Sequence, residues 1–418
     1  MSLSLSGEYP FNNYRSSKYY LILFFIWPFL AFIVSVSNFS KKEARFIVYM
    51  FLIYYGFNFV NTNTAIDAYR YALELKINSG RSFSDFFRIV GGLYSDTNVD
   101  IVEPLISFIV SRFTSHYSLY FAVWAAIFGF FYLKSINLIY KNIIINPGWN
   151  SIILLLFFTM ILPITTISGV RMWTAAWMFF YGAYRLITEK NPKFLLITLP
   201  AILVHWSFLS ANAILVIYFF VGNRNIVYFP LALASFVLPH LASPFFKSIA
   251  LKLGGGLEQR YSNYSSEGYV SGVQEWAAQS SWFIRITNDL VFYYLLLAIV
   301  VIQLSNRHLM NGKIERNLFS FLLLFLAFVN FGMPIPSFGE RFMILFFLFA
   351  TAYLILYFVK LPGTKLSFLV ILGLFPMALY TLIIFRIGTE SISAWILSPS
   401  FGVPLFAPIL SLYEVLFK

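Results

Sequence analysis

Long apolar runs separated by short polar stretches dominate the chain from residue 19 onward. Most runs are about 18–25 residues long, the length that an α-helix needs to cross the hydrocarbon core of a bilayer. They do not alternate between apolar and polar positions, as the strands of a membrane β-barrel do. We therefore predict an all-α fold, a polytopic integral membrane protein of about 11–12 transmembrane helices. The predicted spans are 19–37, 44–61, 116–138, 150–168, 170–187, 194–204, 207–221, 226–241, 285–304, 317–332, 341–359 and 366–385.

Two apolar regions need a separate interpretation. The run 194–221 is too long for one ordinary span, and His205-Trp206-Ser207 interrupts it. Two short helices that meet at this polar point fit the pattern better than one long helix. The apolar tail 392–417 carries Pro399, Pro404 and Pro408, and it fits either a further span or a helix lying in the membrane interface.

Composition supports a membrane protein and excludes several kinds of chemistry. Hydrophobic residues make up 60% of the 418 residues and charged residues only 11%, whereas soluble domains hold about 25% charged residues. The chain has no cysteine, which excludes disulfides, thiolate metal sites and cysteine nucleophiles. Its net charge of +12 bears first on topology, since cytoplasmic loops collect Lys and Arg.

The short basic loops predict an orientation. Lys41 and Lys42 follow the first span, Lys190 follows the fifth, and Lys360 and Lys365 follow the eleventh of the predicted segments. If these loops face the cytoplasm, two large loops face outward, at 62–115 and 242–284. Most of the Arg residues then lie on the outer side. Because the Arg guanidinium binds phosphate or carboxylate in a bidentate way, this side is expected to bind an anionic ligand.

The first outer loop, 62–115, offers several candidate site residues. Asp67, Tyr69 and Arg70 directly follow the second span, and residues 82–94 predict an amphipathic helix on the membrane surface. Glu103-Pro104 begins a further helix, so Glu103 is either a helix-capping acid or a functional one. Asp96, Asp100 and Glu103 have a spacing that matches no calcium loop, and we predict no metal site there.

Two further candidates lie at the ends of predicted spans. Arg171 begins an apolar helix, where a cation is costly unless it reaches the membrane surface or binds something. His205 and Ser207 flank the break in the run 194–221. Non-helical backbone inside a membrane must line a cavity or be buried in protein, so this break is a candidate site.

The second outer loop, 242–284, combines a flexible segment with aromatic and basic residues. Its glycines 254–256 suit a hinge and do not match a phosphate-binding loop. A combination of Arg with Tyr and Trp suits a mobile lid over a sugar phosphate. Arg binds phosphate, and the rings of Tyr and Trp offer sugars a flat apolar face with a polar edge. These residues are Arg260, Tyr261, Trp276 and, at the start of the next span, Arg285. Glu340-Arg341 stands at a later outer span start, where a local ion pair is the simpler explanation.

In order and topology, these pieces resemble the EpsG/Wzy class of bacterial polysaccharide polymerases. The matching motifs are Asp67-x-Tyr69, Glu103-Pro104, Gly169-x-Arg171, His205-x-Ser207 and Arg341 at a late outer span start. Arg171 and Gly182 also fit the R-x10-G pattern of some O-antigen polymerases. The partner pattern H-x7-N is missed by one residue, since the Asn after His205 is Asn212.

The resemblance implies a glycosyltransferase of the multi-span type C, which joins oligosaccharide repeat units carried on undecaprenyl diphosphate. It implies the bacterial inner membrane, an active site facing the periplasm and, as partners, membrane lipid and a chain-length regulator protein. We expect no cofactor and no nucleic acid. The expected catalytic residues are Arg171, His205, Asp67, Glu103 and Arg341. The expected substrate-binding residues are Tyr69, Arg70, Arg112, Ser207, Arg260, Tyr261, Trp276, Arg285 and Glu340.

The chemistry expected of such an enzyme can also be argued independently. The donor loses a lipid diphosphate, and fixed cations aimed at this leaving group lower the barrier. The chain has no D-x-D pair, so Arg residues would replace a metal. His205, Asp67 or Glu103 would act as the base. The alternatives are an O-antigen ligase, a flippase or other transporter, which often shows repeated broken helices, and a membrane acyltransferase.

Overall fold

A computed structural model gives the fold. The structure describes residues 13–60, 67–92, 100–242, 266–279, 281–335, 337–400 and 411–417, with scattered positions between 244 and 263. The described part of the chain consists of helices and their connections and holds no strand. In chain order the helices are α1 Asn13–Ile26, α2 Pro28–Ser37, α3 Lys42–Phe57, α4 Asp67–Ser79, α5 Phe83–Gly92, α6 Val102–Ser111, α7 Tyr117–Ile145, α8 Trp149–Ile161, α9 Val170–Glu189, α10 Leu195–Thr198, α11 Pro200–Val204, α12 Phe208–Val221, α13 Asn225–Val237, α14 Glu267–Gln279, α15 Trp282–Asn306, α16 Lys313–Gly332, α17 Gly339–Lys360, α18 Phe368–Glu390 and α19 Leu412–Phe417.

Six helical segments of the described chain are long and apolar enough to cross a membrane. They are Tyr117–Ile145, Trp149–Glu189, Trp282–Asn306, Lys313–Gly332, Gly339–Lys360 and Lys365–Glu390. Shorter apolar helices of 10–17 residues accompany them, among them α2, α12 and α13. The predicted all-α, polytopic membrane fold is therefore confirmed.

The segment Trp149–Glu189 folds back on itself. Its 41 residues would extend about 60 Å as one straight helix, roughly twice the hydrocarbon thickness. Helix α8 instead ends at Ile161, and a 3-10 turn, Ile164–Gly169, connects it to α9. The ring of Phe158 lies 5.3 Å from that of Phe180, and the Trp177 indole N–H donates to the carbonyl of Leu162 at 3.0 Å. Because these contacts join residues on either side of the turn, α8 and α9 form an antiparallel hairpin, in agreement with the two spans predicted here.

A second hairpin forms at the predicted break in the run 194–221. Helix α11 ends at Val204, His205 is extended, and α12 begins at Phe208. The side-chain amide of Asn212 donates to the carbonyl of Thr198 at 3.0 Å. This bond joins α12 to α10, so the two arms lie side by side and His205-Trp206-Ser207 forms the tip.

Helix α17 lies at the centre of the bundle. Nearly all of its side chains between Phe342 and Phe358 are buried, and aromatic rings from α9, α12, α15, α16 and α18 pack on it. Phe349 contacts Phe180 of α9 at 4.8 Å and Phe321 of α16 at 5.0 Å between ring centroids. Since lipid tails are as apolar as these side chains, close packing rather than water exclusion holds such helices together.

The bundle has two chemically different ends. At one end, Lys360 pairs with Glu315 at 2.5 Å, and Lys190 lies over the ring of Tyr218. We call this the lysine end. The C-terminus of α7 and the N-termini of α8, α16 and α18 lie at this end. Helices α9 and α17 begin at the opposite end, which holds Arg171 and which we call the arginine end.

The segment between α3 and α7 lies at the arginine end. Helices α4, α5 and α6 are 13, 10 and 10 residues long, too short to cross a bilayer, which takes about 20 residues. Helix α5 falls within the amphipathic helix predicted at 82–94, although residues 93 and 94 lie outside the described residues. The ring of Phe86 stacks on that of Phe108 at 4.2 Å, which attaches α5 to α6.

The tail does not cross the membrane as one span from 392 to 417. The backbone N–H of Leu412 donates to the carbonyl of Ile392 at 2.7 Å, so the chain returns to its starting point. Ser393 also donates to the carbonyl of Asn58 at 3.0 Å. These bonds hold 391–393 against the end of α3, and the first of the two predicted alternatives is wrong. Residues 401–410 lie outside the described residues.

Candidate active site

Arg171 stands in the first turn of α9, directly after the turn of the α8–α9 hairpin. Its Nη1 lies 2.6 Å from Oδ2 of Asp100, and its Nε donates to the hydroxyl of Tyr71 at 2.8 Å. The Asp100 side chain is 1% exposed and that of Arg171 14%. A guanidinium bonded on two edges has a fixed direction, so Arg171 is oriented by groups from two other segments.

Asp100 also joins Arg171 to the second hairpin. Its Oδ1 accepts the backbone N–H of Trp206 at 2.8 Å, and the N–H of the next residue, Ile101, donates to the carbonyl of Leu203 at 3.0 Å. Because Trp206 lies between His205 and Ser207, these two predicted residues are held beside Arg171. From the sequence, Asp100 was considered only as part of an acidic cluster, and its role as the link between the two hairpins was missed.

His205 uses one ring nitrogen to stabilise the hairpin tip. Its Nδ1 lies 2.8 Å from the hydroxyl of Ser207 and 3.3 Å from the Ser207 backbone N–H. A backbone N–H can only donate, so Nδ1 is an acceptor and a neutral ring carries its proton on Nε2. The Ser207 hydroxyl also lies 3.9 Å from the sulfur of Met172, the neighbour of Arg171. Nδ1 of His205 is therefore used within the hairpin tip and does not serve as a base.

Glu103 is not a helix cap. Its carboxyl is buried in the protein and accepts a hydrogen bond from the hydroxyl of Tyr120 on α7 at 2.8 Å. Burial and, to a smaller extent, the nearby Glu74 carboxyl raise the pKa of Glu103 to about 7, although the Tyr120 hydroxyl and Arg171 act in the opposite direction. A carboxyl with such a pKa exchanges protons near neutral pH, as acid–base catalysis requires.

Tyr71 connects this carboxyl with the cation. It is 2% exposed and lies on the same face of α4 as Glu74. Burial raises the pKa of Tyr71 to about 12, so its hydroxyl stays neutral and accepts the N–H of Arg171. Its ring lies 5.2 Å below the guanidinium carbon of Arg171, an additional favourable contact.

The other candidates of the first outer loop lie around this centre. Asp67 and Arg70 form an exposed ion pair with 3.0 Å between them at the start of α4, and Tyr69 is exposed beside them. Arg112 points to the far end of α4, where its guanidinium donates to the carbonyls of Arg81 and Asn78. Arg112 therefore caps a helix, and its bonds in the structure are those of a stabilising residue.

The candidates near the second outer loop are only partly described. Glu340 and Arg341 lie in the first turn of α17, directly before Phe342. The ring of Phe342 packs on that of Phe208, at the start of α12, with 5.5 Å between ring centroids. Neither forms an ion pair within the described residues, so the local pair expected from the sequence is absent there. Tyr269 of α14 shares a 2.7 Å hydrogen bond with Ser337, just before α17. Arg260 and Tyr261 lie outside the described residues, and of Trp276 and Arg285 only the backbone is described.

Gly182 and Asn212, which were compared with the O-antigen polymerase patterns, position the helices around the site and are not part of the site itself. A Cβ on Gly182 would lie 2.6 Å from the methyl group of Thr198, so only glycine lets α10 approach α9 this closely. Asn212 bonds the carbonyl of the same Thr198. Both residues thus fix the second hairpin against α9, which determines where His205 stands relative to Arg171.

Acidic side chains near Arg171 are bonded to protein groups. Of the predicted cluster, Asp100 bonds Arg171 and the backbone of Trp206, Glu103 bonds Tyr120, and Asp96 lies outside the described residues. Among the residues that the structure describes, no group of three or more His, Asp or Glu side chains is arranged to hold a metal ion.

The geometry therefore combines an oriented guanidinium, a histidine and a buried carboxyl at one end of a membrane bundle. A family model described as the EpsG family matches residues 43–396. No curated protein and no solved structure matches the chain. Because the match covers most of the chain and includes all the residues of the described centre, the protein belongs to the EpsG family, the family of Wzy/EpsG-type polysaccharide polymerases.

Proposed function

We propose that the protein polymerises polysaccharide by transferring oligosaccharide repeat units from undecaprenyl diphosphate to a second lipid-linked glycan. The family supports the class of reaction. The observation that carries the finer proposal is the oriented pair of Arg171 and Asp100, with 2.6 Å between them at the arginine end. A fixed cation at the membrane surface suits a leaving group that is itself a membrane-anchored diphosphate.

Arg171 is the proposed stabiliser of the leaving group. As the bond between the sugar and the diphosphate breaks, negative charge grows on the diphosphate oxygens, and preoriented donors stabilise this charge most effectively. In the described residues, the Nη2 nitrogen of Arg171 has no hydrogen-bond partner, so its N–H groups are available to a ligand. In this proposal these groups replace a metal ion.

The proposed location is the bacterial inner membrane, with the arginine end facing the periplasm. The Lys-rich loops at the other end support this orientation, because such loops are retained in the cytoplasm. Lipid-linked repeat units and a chain-length regulator protein are the proposed partners, and the acceptor and donor lipids approach from the surrounding bilayer.

The test uses purified protein in detergent with synthetic lipid-linked repeat units, and measures product length on gels. We expect wild-type protein to form a ladder of products. Arg171→Ala and Arg171→Lys should both lower the rate by about a hundredfold, because one ammonium cannot reproduce the planar fork. Arg185→Ala is the matched control. Arg185 lies on the same helix at the lysine end and pairs with Glu189, so its loss should leave the ladder intact.

The same assay separates the alternatives. A flippase only moves lipid across a bilayer, so it would form no glycosidic bond in detergent. A ligase would transfer a unit to another class of acceptor but would not lengthen the lipid-linked product. If wild-type protein makes no product longer than one repeat unit, the proposed polymerase function is wrong. If the ladder forms equally well with Arg171→Ala, the proposed role of Arg171 is wrong.

A further inference from the structure

Helices α4 and α6 lie side by side with polar residues facing each other. The side-chain amide of Asn78 donates to the hydroxyl of Ser107 at 2.9 Å, and Arg112 at the end of α6 bonds the last carbonyls of α4. The two helices therefore run parallel. Glu74 and Glu103 each precede this bonded pair by four residues, about one helical turn. They stand at the same level of the two helices, and the Glu74 carboxyl is close enough to raise the pKa of Glu103.

The two carboxyls have different surroundings. Glu103 is 3% exposed and accepts a hydrogen bond from the hydroxyl of Tyr120 on α7, whereas Glu74 is only partly buried. A buried carboxyl beside a second carboxyl is difficult to ionise, so the pKa of Glu103 is raised to about 7. In its protonated form Glu103 has an O–H group that can donate to Glu74, the more exposed of the two acids.

Glu74 is also well placed relative to Arg171. It lies three residues after Tyr71, and residues at this spacing on a helix have Cβ atoms about 5–6 Å apart. Tyr71 bonds Nε of Arg171 directly. Glu74 and Tyr71, which bonds the proposed leaving-group cation, thus occupy neighbouring positions on one face of α4.

The bases considered from the sequence are less suitable in this geometry. The lone pair on Nδ1 of His205 is occupied by Ser207. Asp67 is exposed and paired with Arg70. Glu103 is buried and already accepts a hydrogen bond from Tyr120. Glu74 was not selected by the sequence pattern, because nothing in its neighbourhood distinguishes it from other acids on a loop helix.

Resting on the proposed function, we propose that Glu74 is the catalytic base that removes the proton from the acceptor hydroxyl, and that Glu103 is the protonated positioning residue that orients it. The acceptor O–H bond breaks and its proton passes to the Glu74 carboxylate. The acceptor oxygen forms a bond to the anomeric carbon, and the bond from that carbon to the diphosphate breaks with its electron pair moving to the diphosphate oxygen. The proton on Glu74 then leaves to water.

The test compares glutamine substitutions in the full-length protein with lipid-linked repeat units. A glutamine at position 103 imitates a protonated Glu103, because it can donate to Glu74 and accept from Tyr120. Glu103→Gln should therefore lower the rate by no more than about tenfold. Glu74→Gln removes the base and should lower the rate by about 100–10,000-fold. Glu74→Asp keeps a carboxylate on a shorter side chain and should recover part of this loss.

The pH dependence gives a readout that a purely structural role would not change. The groups that face Glu103 are Glu74 and Tyr71 of α4, Tyr120 of α7 and Arg171 of α9. Above the pH at which Glu103 ionises, it can no longer donate to Glu74, so the wild-type rate should decline on the alkaline side. Glu103→Gln should abolish this decline, because glutamine does not ionise.

Each outcome decides a different point. An inactive wild type contradicts the proposed function itself. If the wild type is active and Glu74→Gln keeps most of its rate while Glu103→Gln loses it, the proton is on the other carboxyl and this proposal is overturned. Equal, small losses in both variants overturn it as well. Glu189→Gln, at the lysine end, is the control acid, and the thermal unfolding temperature of every variant in detergent shows whether the protein remains folded.

Discussion

Asp100 is the residue whose removal should destabilise the arginine end most. It bonds Arg171 at 2.6 Å with one oxygen and the Trp206 backbone N–H at 2.8 Å with the other. Asp100→Ala would leave a largely buried cation without its counter-charge and a backbone donor without its acceptor. We therefore expect the substitution to loosen the contact between the two hairpins rather than to affect one side chain only.

The magnitude follows from these contacts. Removing one partner of a buried ion pair costs about 3–5 kcal/mol, and an unsatisfied N–H about 1–3 kcal/mol. Arg171 keeps its bond to Tyr71 and is 14% exposed, so the cost of leaving it without Asp100 lies at the lower end of the range for a buried ion pair. We expect Asp100→Ala to lower the free energy of unfolding by about 4–6 kcal/mol in total. Asp100→Asn keeps an oxygen for the Trp206 N–H and should cost about half as much.

Unfolding in mixed micelles with rising SDS, followed by tryptophan fluorescence, measures these differences. The matched control is Glu390→Ala, which breaks a 3.3 Å pair with Arg386 whose side chains are about half exposed. Exposed pairs contribute about 0–1 kcal/mol, so this control should change little. If Asp100→Ala costs no more than the control, Asp100 does not hold the site together. The double variant with Arg171→Ala should cost clearly less than the sum of the single ones, since both remove the same pair.

Three further predictions concern pH, metal and topology. The pKa of Glu103 lies at about 7 in the folded protein instead of 4.5, so the folded state binds more protons than the unfolded state between these pH values. The free energy of unfolding should therefore fall as the pH rises through this interval and level off above it. Glu103→Gln should remove this fall, because glutamine does not ionise. Polymerisation by purified protein should continue in EDTA, and restoration by magnesium after an EDTA block would contradict the argument that Arg replaces a metal. In this cysteine-free chain, a membrane-impermeant maleimide added from the periplasmic side should label Ser266→Cys but not Lys190→Cys; the reverse pattern would invert the proposed topology.

The fold could be predicted from the sequence because the membrane restricts the possible solutions. An apolar run of helical length that carries no alternation has to be a helix in a bilayer, where every backbone group must bond internally. The break at His205 was visible for the same reason, since a polar tripeptide interrupted a run too long for one span. The tail was not predictable, because its path depends on the bonds of Ser393 and Leu412 to distant backbone groups.

The site was predictable only in part. Arg171 and His205 were recognised because each is polar where the surrounding sequence is apolar. Asp100 and Glu74 lie in polar loop sequence, where an acid attracts no attention, and their importance depends on which helices come together. Asp100 acts across 71 positions of the chain to Arg171, and Glu74 across 29 positions to Glu103. Such pairings depend on how the loop helices pack against each other. The hydrophobic periodicity within one helix gives no information on that packing.

The pairing of Arg171 with Asp100 does not prevent Arg171 from serving a diphosphate. A free arginine on the membrane surface would lose about 2 kcal/mol of side-chain entropy when it grasped a ligand. In this structure the bonds to Asp100 and Tyr71 have already fixed the side chain, so that cost falls on folding rather than on the reaction. Preoriented donors also need no rearrangement when charge develops on the leaving group. The buried acid thus lowers the net charge of the site but fixes the direction of the guanidinium, which the proposed diphosphate leaving group requires.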